Sequence, residues 1–424
     1  MQINIGFVGT RFAGLDGVSL EAEKWAHVLK KMKHRVFWFG GEVEKPPECS
    51  MVVPEAHFKN ERNAAINAEI YGKRVRSRST TDDIYHFKEH LKNKLYEFIN
   101  RFRIELLIAE NCLSIPLHIP LGVALTELIA ETGIPTIAHH HDLAWERDRF
   151  LVNAVSDYLD MAFPPDLPSA RHVVINTVAQ GELASFKGIP SHLIPNVLDF
   201  HARPRKSIDP LKRRHFREDF GFRRDDIIFL QPTRIVARKG IEHSIDLVRR
   251  LNDPRIKLVI THSSGDEGLE YQNWIVKTAR EKSIPVFFIN NRLHVKPENA
   301  RNGERTYTLW DIYPNADFIT YPSSFEGFGN AFLEAVYYKK PMLVNRYPIF
   351  VADIEPKGFD VVAMDGHLTD EVVFRVNLLL SDPSRVRHMT NKNFRLGKTY
   401  FSFDLLRRRL ISVFTSLYGT IHSR

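Results

Sequence analysis

The chain has little cysteine: Cys49 and Cys112 are the only two in 424 residues. Two cysteines exclude a disulfide-stapled secreted scaffold, so we expect a reducing, cytoplasmic setting. The sequence also lacks an apolar run of the ~18 residues that would span a membrane. Its first residues, MQINIGFVG, lack the basic segment of a signal peptide and predict a buried strand that runs into a glycine turn.

Other absences narrow the class of partner. Neither the spacing of a zinc finger nor an aromatic RNA-binding motif is present, so we expect no nucleic-acid partner. Lysine and arginine nevertheless outnumber aspartate and glutamate by 59 to 51, which gives a net charge of +8. This excess favours solubility and attracts phosphorylated or anionic substrates, and peripheral contact with an anionic membrane stays open.

What is present is a strand–helix alternation long enough for two domains of about 200 residues each. Helical patterns such as Leu20–Met32, Asp83–Arg101 and Gly240–Leu251 separate short apolar runs, which predicts an α/β fold with doubly wound parallel sheets. The predicted strands are Ile3–Val8, Val36–Phe39, Leu106–Ala109, Thr136–Ala138, Val173–Asn176, Ile227–Leu230, Lys257–Thr261, Val286–Ile289, Phe318–Tyr321 and Met342–Val344.

A proline-containing stretch without helical period, Pro195–Pro210, separates the two sets of strands. We therefore predict an N-terminal domain in residues 1–200 and a C-terminal domain in residues 201–400. The amphipathic pattern of Asp404–Tyr418 predicts a last helix, within residues 401–424, that packs back across the domain junction. The charged segment Glu42–Lys92 predicts an excursion from the first sheet.

The most informative segment is Tyr321–Pro341, YPSSFEGFGNAFLEAVYYKKP. It predicts a strand that ends at Tyr321, a loop that carries Glu326, and a helix that carries Glu334. Ligands of open α/β sheets bind beyond the carboxyl ends of the strands, and a helix N-terminus presents free N–H groups to an anion. The two carboxylates could accept hydrogen bonds from sugar hydroxyls.

This segment resembles the Glu-x7-Glu motif of the family 4 retaining glycosyltransferases, which have the GT-B architecture of two Rossmann-like domains with an interdomain cleft. The resemblance implies an acceptor-side N-terminal domain and a C-terminal domain that binds a nucleotide-sugar. It also implies that Glu326 lies beside the donor sugar, that Glu334 binds the ribose hydroxyls, and that the loop between them contacts sugar and phosphates through Phe328, Gly329 and Asn330.

A second segment, QPTRIVARKGIE at Gln231–Glu242, places Arg234 and Lys239 in a turn between a strand and a helix. Such a pair of cations can neutralise a diphosphate and stabilise it as a leaving group. The segment resembles the family's Gly-Arg-x5-Lys-Gly motif, with Thr233 where glycine is usual. The Ile-Pro-Asn run that ends at Asn196 is similar to another family segment and implies a further donor contact.

Two loops of the first domain complete the predicted site. After the first strand, GTRFAGLDGV is no dinucleotide fingerprint, and a plain strand-to-helix turn is the alternative; the resemblance implies that Gly14 and Gly17 face the donor phosphates. In PTIAHHHDLAWERDR three histidines end a predicted strand. Because neighbouring side chains point to opposite faces, all three cannot converge, and we expect no metal site. The resemblance implies that His141 contacts the donor hexose, with His139 and His140 as substitutes.

The acceptor is predicted from the arginines. Arg74, Arg76 and Arg78 stand at alternate positions, so in an extended strand they would share one face and bind a carboxylate or phosphate. A charged surface ribbon is the alternative. Asp142 and Arg147 beside the histidines are further acceptor candidates, and Arg149 competes for the same role.

The resemblance implies a retaining hexosyltransferase that uses UDP-, GDP- or ADP-glucose or -mannose, without metal or other cofactor, on a small soluble anion such as a sugar phosphate or a glyceric-acid-type solute. Its predicted catalytic residues are His141, Arg234, Lys239 and Glu326. The Gly-Gly pair common after Pro341 in the family is missing. A lipid or polysaccharide acceptor, a GT-B phosphorylase or epimerase, a hydrolase and a non-catalytic nucleotide-sugar-binding scaffold stay open, as does the oligomeric state.

Overall fold

The computed structural model describes residues 2–14, 16–202, 210–263, 268–294 and 304–419, with the backbone alone for 210–214. The chain divides into two compact units. The first unit is formed by Met1–Val197 together with Phe403–Arg424, and the second by Leu198–Ser402. The last helix therefore belongs to the unit in which the chain begins.

The main sheet of the first unit has seven parallel strands among the described residues, in the order β5-β3-β1-β6-β7-β8-β9. Because the order reverses between β1 and β6, the loops after these two strands lie at the switch point where open α/β sheets bind ligands. The strands of the unit are Asn4–Val8 (β1), Arg11–Phe12 (β2), Arg35–Gly40 (β3), Glu42–Val43 (β4), Ser50–Val52 (β5), Leu106–Glu110 (β6), Thr136–His140 (β7), Ala170–Val174 (β8) and Ser191–Leu193 (β9).

Helices cover both faces of this sheet. One face packs against the long helices Arg78–Phe102 (α3) and Ile119–Thr132 (α4), and the other packs against Gly17–Lys31 (α1) and the last helix, Phe403–Tyr418 (α15). The inner strands β1, β3, β6, β7 and β8 are therefore buried on both sides. This two-sided burial explains why the strands are continuous apolar runs. The helices of the unit are Gly17–Lys31 (α1), Glu61–Ile70 (α2), Arg78–Phe102 (α3), Ile119–Thr132 (α4), Asp148–Leu151 (α5), Ser156–Ala162 (α6), Thr177–Lys187 (α7) and Phe403–Tyr418 (α15).

The second unit repeats the plan with six parallel strands in the order β12-β11-β10-β13-β14-β15, again of the described residues, and its switch point lies between β10 and β13. Its strands are Ile227–Gln231 (β10), Ile256–Ile260 (β11), Val286–Phe288 (β12), Phe318–Tyr321 (β13), Met342–Asn345 (β14) and Val362–Met364 (β15). Its helices are Pro210–Asp219 (α8), Ile241–Leu251 (α9), Glu270–Glu281 (α10), Leu309–Ile312 (α11), Asn330–Tyr337 (α12), Asp370–Ser381 (α13) and Pro383–Tyr400 (α14), and a π-helical turn spans Phe350–Ile354.

The predicted α/β class with doubly wound parallel sheets is confirmed. The strands β5, β9 and β15 escaped prediction because three residues are too few to show a pattern, whereas the equally short β12 lies in the longer apolar run Val286–Ile289. About half of the charged segment Glu42–Lys92 is helical, since α2 and the first 15 residues of α3 lie in it. No helix of the described residues is long and apolar enough to cross a membrane.

Candidate active site

Two neighbouring loops meet at the switch point of the second unit: residues 232–240 after β10 and residues 322–329 after β13. The backbone N–H of Ser324 donates to the carbonyl of Arg238 at 2.9 Å. Gly240 has a left-handed φ of +60°, and a Cβ at this position would lie 2.5 Å from the carbonyl oxygen of Pro322. Only glycine therefore allows this close contact between the loops.

A buried ion pair joins the same two loops. The ammonium of Lys239, 8% exposed, donates to the Oε1 atom of Glu326, which is 9% exposed. Burial alone would raise the pKa of Glu326, but Lys239 lowers it below its ordinary value, with help from the side chains of Ser323 and Tyr321. Glu326 is therefore a carboxylate anion at neutral pH, and it holds Lys239 at the end of the sheet.

A glutamine at the end of β10 organises the first loop. The Gln231 amide donates to the Thr233 hydroxyl and to the Lys239 carbonyl, both at 3.1 Å. Its oxygen accepts from Ser244 at 2.5 Å and from Thr320 at 2.9 Å. Thr233, which replaces the usual glycine of the motif, is thus a buried hydrogen-bond partner. The sequence pattern did not single out Gln231, although a polar residue at the end of an apolar strand was a signal for it.

Positive charge gathers around this loop. Arg234 is exposed, and it acts together with Lys239 on the imidazole of His262, which follows β11. Burial first, and then these two cations, lower the pKa of His262 to about 4. His262 is therefore a neutral neighbour of the cations at pH 7, and it was not identified from the sequence.

The second glutamate of the motif has a different environment. Glu334 is half-buried in α12, and its Oε2 atom accepts a hydrogen bond from the Tyr313 hydroxyl at 2.6 Å. The loop before α12 is fixed by Tyr347, whose hydroxyl donates to the carbonyl of Phe328 at 2.8 Å. Gly329 has φ +118°, and a Cβ there would lie 2.5 Å from the Tyr347 hydroxyl oxygen. The segment after β14, which lacks the Gly-Gly pair, thus supports the loop through Tyr347.

The predicted donor-binding residues fall into two groups. Seven lie in the second unit, in the loops after β10 and β13 or in α12: Arg234, Lys239, Glu326, Phe328, Gly329, Asn330 and Glu334. Three lie in the first unit. Gly14 is exposed with φ +73°, Gly17 is the first residue of α1, and Asn196 is buried. Their roles in binding stay predictions.

In the first unit, a buried carboxylate at the end of β6 gathers two of the three histidines. Glu110 accepts a hydrogen bond from the Nδ1 atom of His139 at 3.0 Å and from the Nε2 atom of His141 at 3.1 Å. The ring of Trp25 stacks on His139 with 4.1 Å between centroids. His140 points away, and its Nε2 atom lies 2.9 Å from Nδ1 of His172. The expected divergence of the histidines is thus observed for His140.

The charges of this cluster are coupled. Burial would raise the pKa of Glu110, but His139 and His141 lower it to about 2. Burial would lower the pKa of His141, yet the Glu110 carboxylate raises it above its ordinary value, whereas the pKa of His139 is lowered by burial. His141 is the least buried of the three histidines, at 8% exposure. With Nε2 donating to Glu110, its Nδ1 is the nitrogen left to meet a substrate.

Among the described residues, the side chains of Glu110, His139 and His141 form a group that could hold a metal ion, because their ligand atoms lie within 4.8 Å of one another. Ligands of a tetrahedral zinc ion at ~2.1 Å lie about 3.4 Å apart. The Glu110 oxygen lies 3.0 and 3.1 Å from the two nitrogens, which are hydrogen-bond distances. Hydrogen bonds hold the cluster together in this structure, and the expectation of no metal site stays a prediction.

The side chain of Asn111 fixes the loop that follows the histidines. Its Oδ1 atom accepts the backbone N–H groups of His141 at 2.9 Å and of Asp142 at 3.2 Å. The carboxylate of Asp142 in turn accepts from Arg147 at 2.8 Å. Neither Glu110 nor Asn111 was identified from the sequence, because both lie 28 or more residues before the histidines.

The extended strand expected to carry the three arginines is absent, while their role in acceptor binding stays a prediction. Residues 72–77 form no strand, and Arg78 is the first residue of α3. Arg76 donates to both carboxylate oxygens of Asp157, at 2.7 and 2.6 Å, and lies over the ring of Tyr158. The Ser77 side chain caps α3 instead, which ends the extended segment before Arg78. Arg74 is exposed.

Comparison with known proteins identifies the family. Residues 212–396 match the family model "Glycosyl transferases group 1". The chain is 32% identical to mannosylglucosylglycerate synthase of Petrotoga mobilis over 96% of this chain and 100% of the relative, and 31% identical to that of Thermotoga maritima over 95% and 98%. Its structure is similar to sucrose-phosphate synthase of Thermosynechococcus elongatus, with a TM-score of 0.69, 13% identity and 99% of both chains covered. The chain therefore belongs to the group 1 glycosyl transferases, as a family 4-like hexosyltransferase with the GT-B fold.

Proposed function

We propose that this chain is a retaining mannosyltransferase that moves mannose from a nucleoside diphosphate mannose to glucosylglycerate. The observation that carries the donor half is the Lys239–Glu326 pair beside Arg234, at the carboxyl ends of β10 and β13. The acceptor assignment rests on two relatives, both mannosylglucosylglycerate synthases, that match nearly the whole chain. That name specifies a product with a mannosyl, a glucosyl and a glyceric acid group.

In this proposal the diphosphate leaves from the same face of the sugar on which the acceptor hydroxyl attacks. Arg234 and Lys239 stabilise the negative charge that develops on the leaving phosphate, and the buried position of Lys239 makes its part of this stabilisation strong. The N-terminus of α12 offers further N–H donors to the diphosphate. A departing phosphate oxygen takes the proton of the acceptor hydroxyl, so that the C–O bond to the acceptor forms as the bond to the phosphate breaks.

Other residues bind the hexose and the ribose of the donor. Glu326 and His141 orient the hexose and stabilise the positive charge that develops at its reacting carbon, while Glu110 keeps His141 in position. Glu334 binds the ribose hydroxyls from α12. Because the cations and the helix N-terminus serve the diphosphate, we propose that turnover needs no metal ion. Activity that survives exhaustive chelation supports this point, and activity that requires added Mg²⁺ or Mn²⁺ contradicts it.

The donor is tested by thermal-shift measurements with UDP-, GDP- and ADP-linked mannose and glucose, on the wild type and on Glu334→Ala. We expect a rise in melting temperature with one mannose donor and a much smaller rise in the variant. A Tyr418→Phe variant, altered in the last helix of the other unit, serves as the matched control. If no donor shifts the wild type, the donor-site assignment fails.

A further inference from the structure

A small pocket opens at the switch point of the first unit. It has a volume of about 140 Å³, and its polar lining comes from the loop after β1 and from the end of β6: Thr10, Arg11, Asp16, Glu110 and Asn111. Phe58 and Leu117 contribute to its apolar wall. A cavity of about this volume takes a molecule of the size of benzene, and a three-carbon carboxylic acid is of similar size.

Arg11 lines this pocket and is held by two neighbouring side chains. Its Nη2 atom lies 3.2 Å from the Asp16 carboxylate, and its guanidinium lies over the Phe58 ring at 5.3 Å. The Nε atom is buried and donates to no acceptor in the part of the chain that the structure describes. The guanidinium has five N–H donors, and the Arg11 side chain as a whole is 31% exposed, so donors remain for a ligand that accepts hydrogen bonds in the pocket.

The two acidic residues of the pocket are already engaged. Asp16 caps α1, because its Oδ1 atom accepts from the backbone N–H groups of Val18 and Ser19 at 3.1 Å, and its Oδ2 atom accepts from the Ser19 hydroxyl at 2.6 Å. Glu110 is held by the two histidines. Arg11 is the one basic residue among the described residues that line the pocket.

We propose that this pocket binds the carboxylate of the glyceric acid end of the acceptor, with Arg11 as the anchor that selects for the charge. The inference rests on the proposed function and assigns its acceptor specificity to a residue outside the three sequence-predicted arginines. Glu110 and Asn111 are walls of the pocket and also hold His141 and Asp142. The acceptor's charged end is thereby placed next to the cluster that orients the histidine loop.

The test compares two acceptors, glucosylglycerate and the neutral glucosylglycerol, on the wild type and on Arg11→Gln and Arg11→Lys. We expect Arg11→Gln to raise KM for glucosylglycerate by about tenfold or more, with kcat and the KM for glucosylglycerol nearly unchanged, since a hydrogen bond to a charged group is lost. Arg11→Lys should keep part of the preference. Arg62→Gln is the matched control, because Arg62 also pairs with an aspartate, Asp83, and lies over a phenylalanine ring.

An equal loss on both acceptors, or none, overturns the inference. Calorimetric titration with glycerate alone tests the pocket assignment independently of the proposed transfer reaction. If the wild type binds glycerate and Arg11→Gln does not, the pocket assignment holds even where no transfer to glucosylglycerate occurs. If the wild type transfers mannose to glucosylglycerate and Arg11→Gln binds glycerate equally well, the pocket assignment fails while the proposed function stands.

Discussion

The ammonium of Lys239 and the carboxylate of Glu326 form a buried ion pair, although 87 residues separate them in the chain. The pair ties together the two loops that follow β10 and β13. Removing one partner leaves the other charged and buried, whereas removing both does not. This asymmetry allows the catalytic and structural roles of Lys239 to be separated.

We expect Lys239→Met to lower kcat by about a hundredfold or more, since loss of a preorganised cation removes charge stabilisation from the transition state. The same variant should lose ~3–5 kcal/mol of unfolding free energy, because Glu326 is left unpaired. The double variant Lys239→Met/Glu326→Gln should recover most of the stability but none of the activity. Steady-state kinetics measures kcat, and urea unfolding measures the free energy of unfolding. Lys277→Met, which breaks an exposed pair with Glu281, is the control. Near-normal turnover of the double variant would contradict the role of Lys239.

The close contact at Gly240 gives a second prediction. Gly240→Ala forces a left-handed φ on alanine and brings its Cβ to 2.5 Å from a carbonyl oxygen, so we expect a loss of ~1–3 kcal/mol in stability and a weaker donor affinity. Gly181→Ala, inside α7 with open space around it, should instead be neutral or stabilising by about 0.5–1 kcal/mol. Chemical denaturation measures the free energy of unfolding of both variants. Equal stability of the two would show that the loop adapts and that the contact is unimportant.

Glu334 gives a prediction about the ribose. Glu334→Gln should raise the donor KM by about 10- to 100-fold, since a charge-assisted hydrogen bond to a hydroxyl is weakened. Tyr313→Phe, which removes the hydroxyl that donates to Glu334, should have a smaller effect in the same direction. A 2′-deoxyribose donor should lose affinity for the wild type but little for Glu334→Gln. Full sensitivity of the variant to the missing 2′-hydroxyl would place the ribose elsewhere.

The pKa of Glu110 predicts how stability depends on pH. It is lowered from an ordinary 4.5 to about 2 in the folded chain, so the carboxylate's contribution is complete above about pH 4.5 and is lost as the pH falls towards 2. The difference corresponds to about 3 kcal/mol. Urea unfolding between pH 2 and 6 should show this slope in the wild type and a flatter one in Glu110→Gln. An unchanged slope in the variant would mean that other carboxyl groups account for the acid lability.

The fold was predictable because two-sided burial makes each long parallel strand an apolar run, and helical periods separate the runs. The Glu326 loop and the Arg234–Lys239 turn were also predictable, since strand, turn and helix lie within one short segment. What the sequence did not show is which distant side chains meet. The Lys239–Glu326 pair and the Glu110 cluster join residues that lie at the ends of different strands or in the loops after them. No local sequence pattern specifies which strands are neighbours in the sheet.

The strand expected through the three arginines is absent for a local reason. Alternation in the segment before Arg78 suggested a strand, but the Ser77 side chain accepts the Thr80 backbone N–H and starts α3 instead. Arg11 was not identified as a binding residue from the sequence, because it is a single arginine in a glycine-rich loop. Only the fold shows that this loop borders a pocket.

The most direct test of the account is the product formed from ¹³C-labelled mannose donors and glucosylglycerate, followed by NMR. We predict that the wild type forms a mannosyl product with the same anomeric configuration as the donor, only when the acceptor is present, and that Lys239→Met forms it about a hundredfold or more slowly. An inverted anomer, free mannose released without acceptor, or turnover that requires inorganic phosphate would contradict a retaining mannosyltransferase.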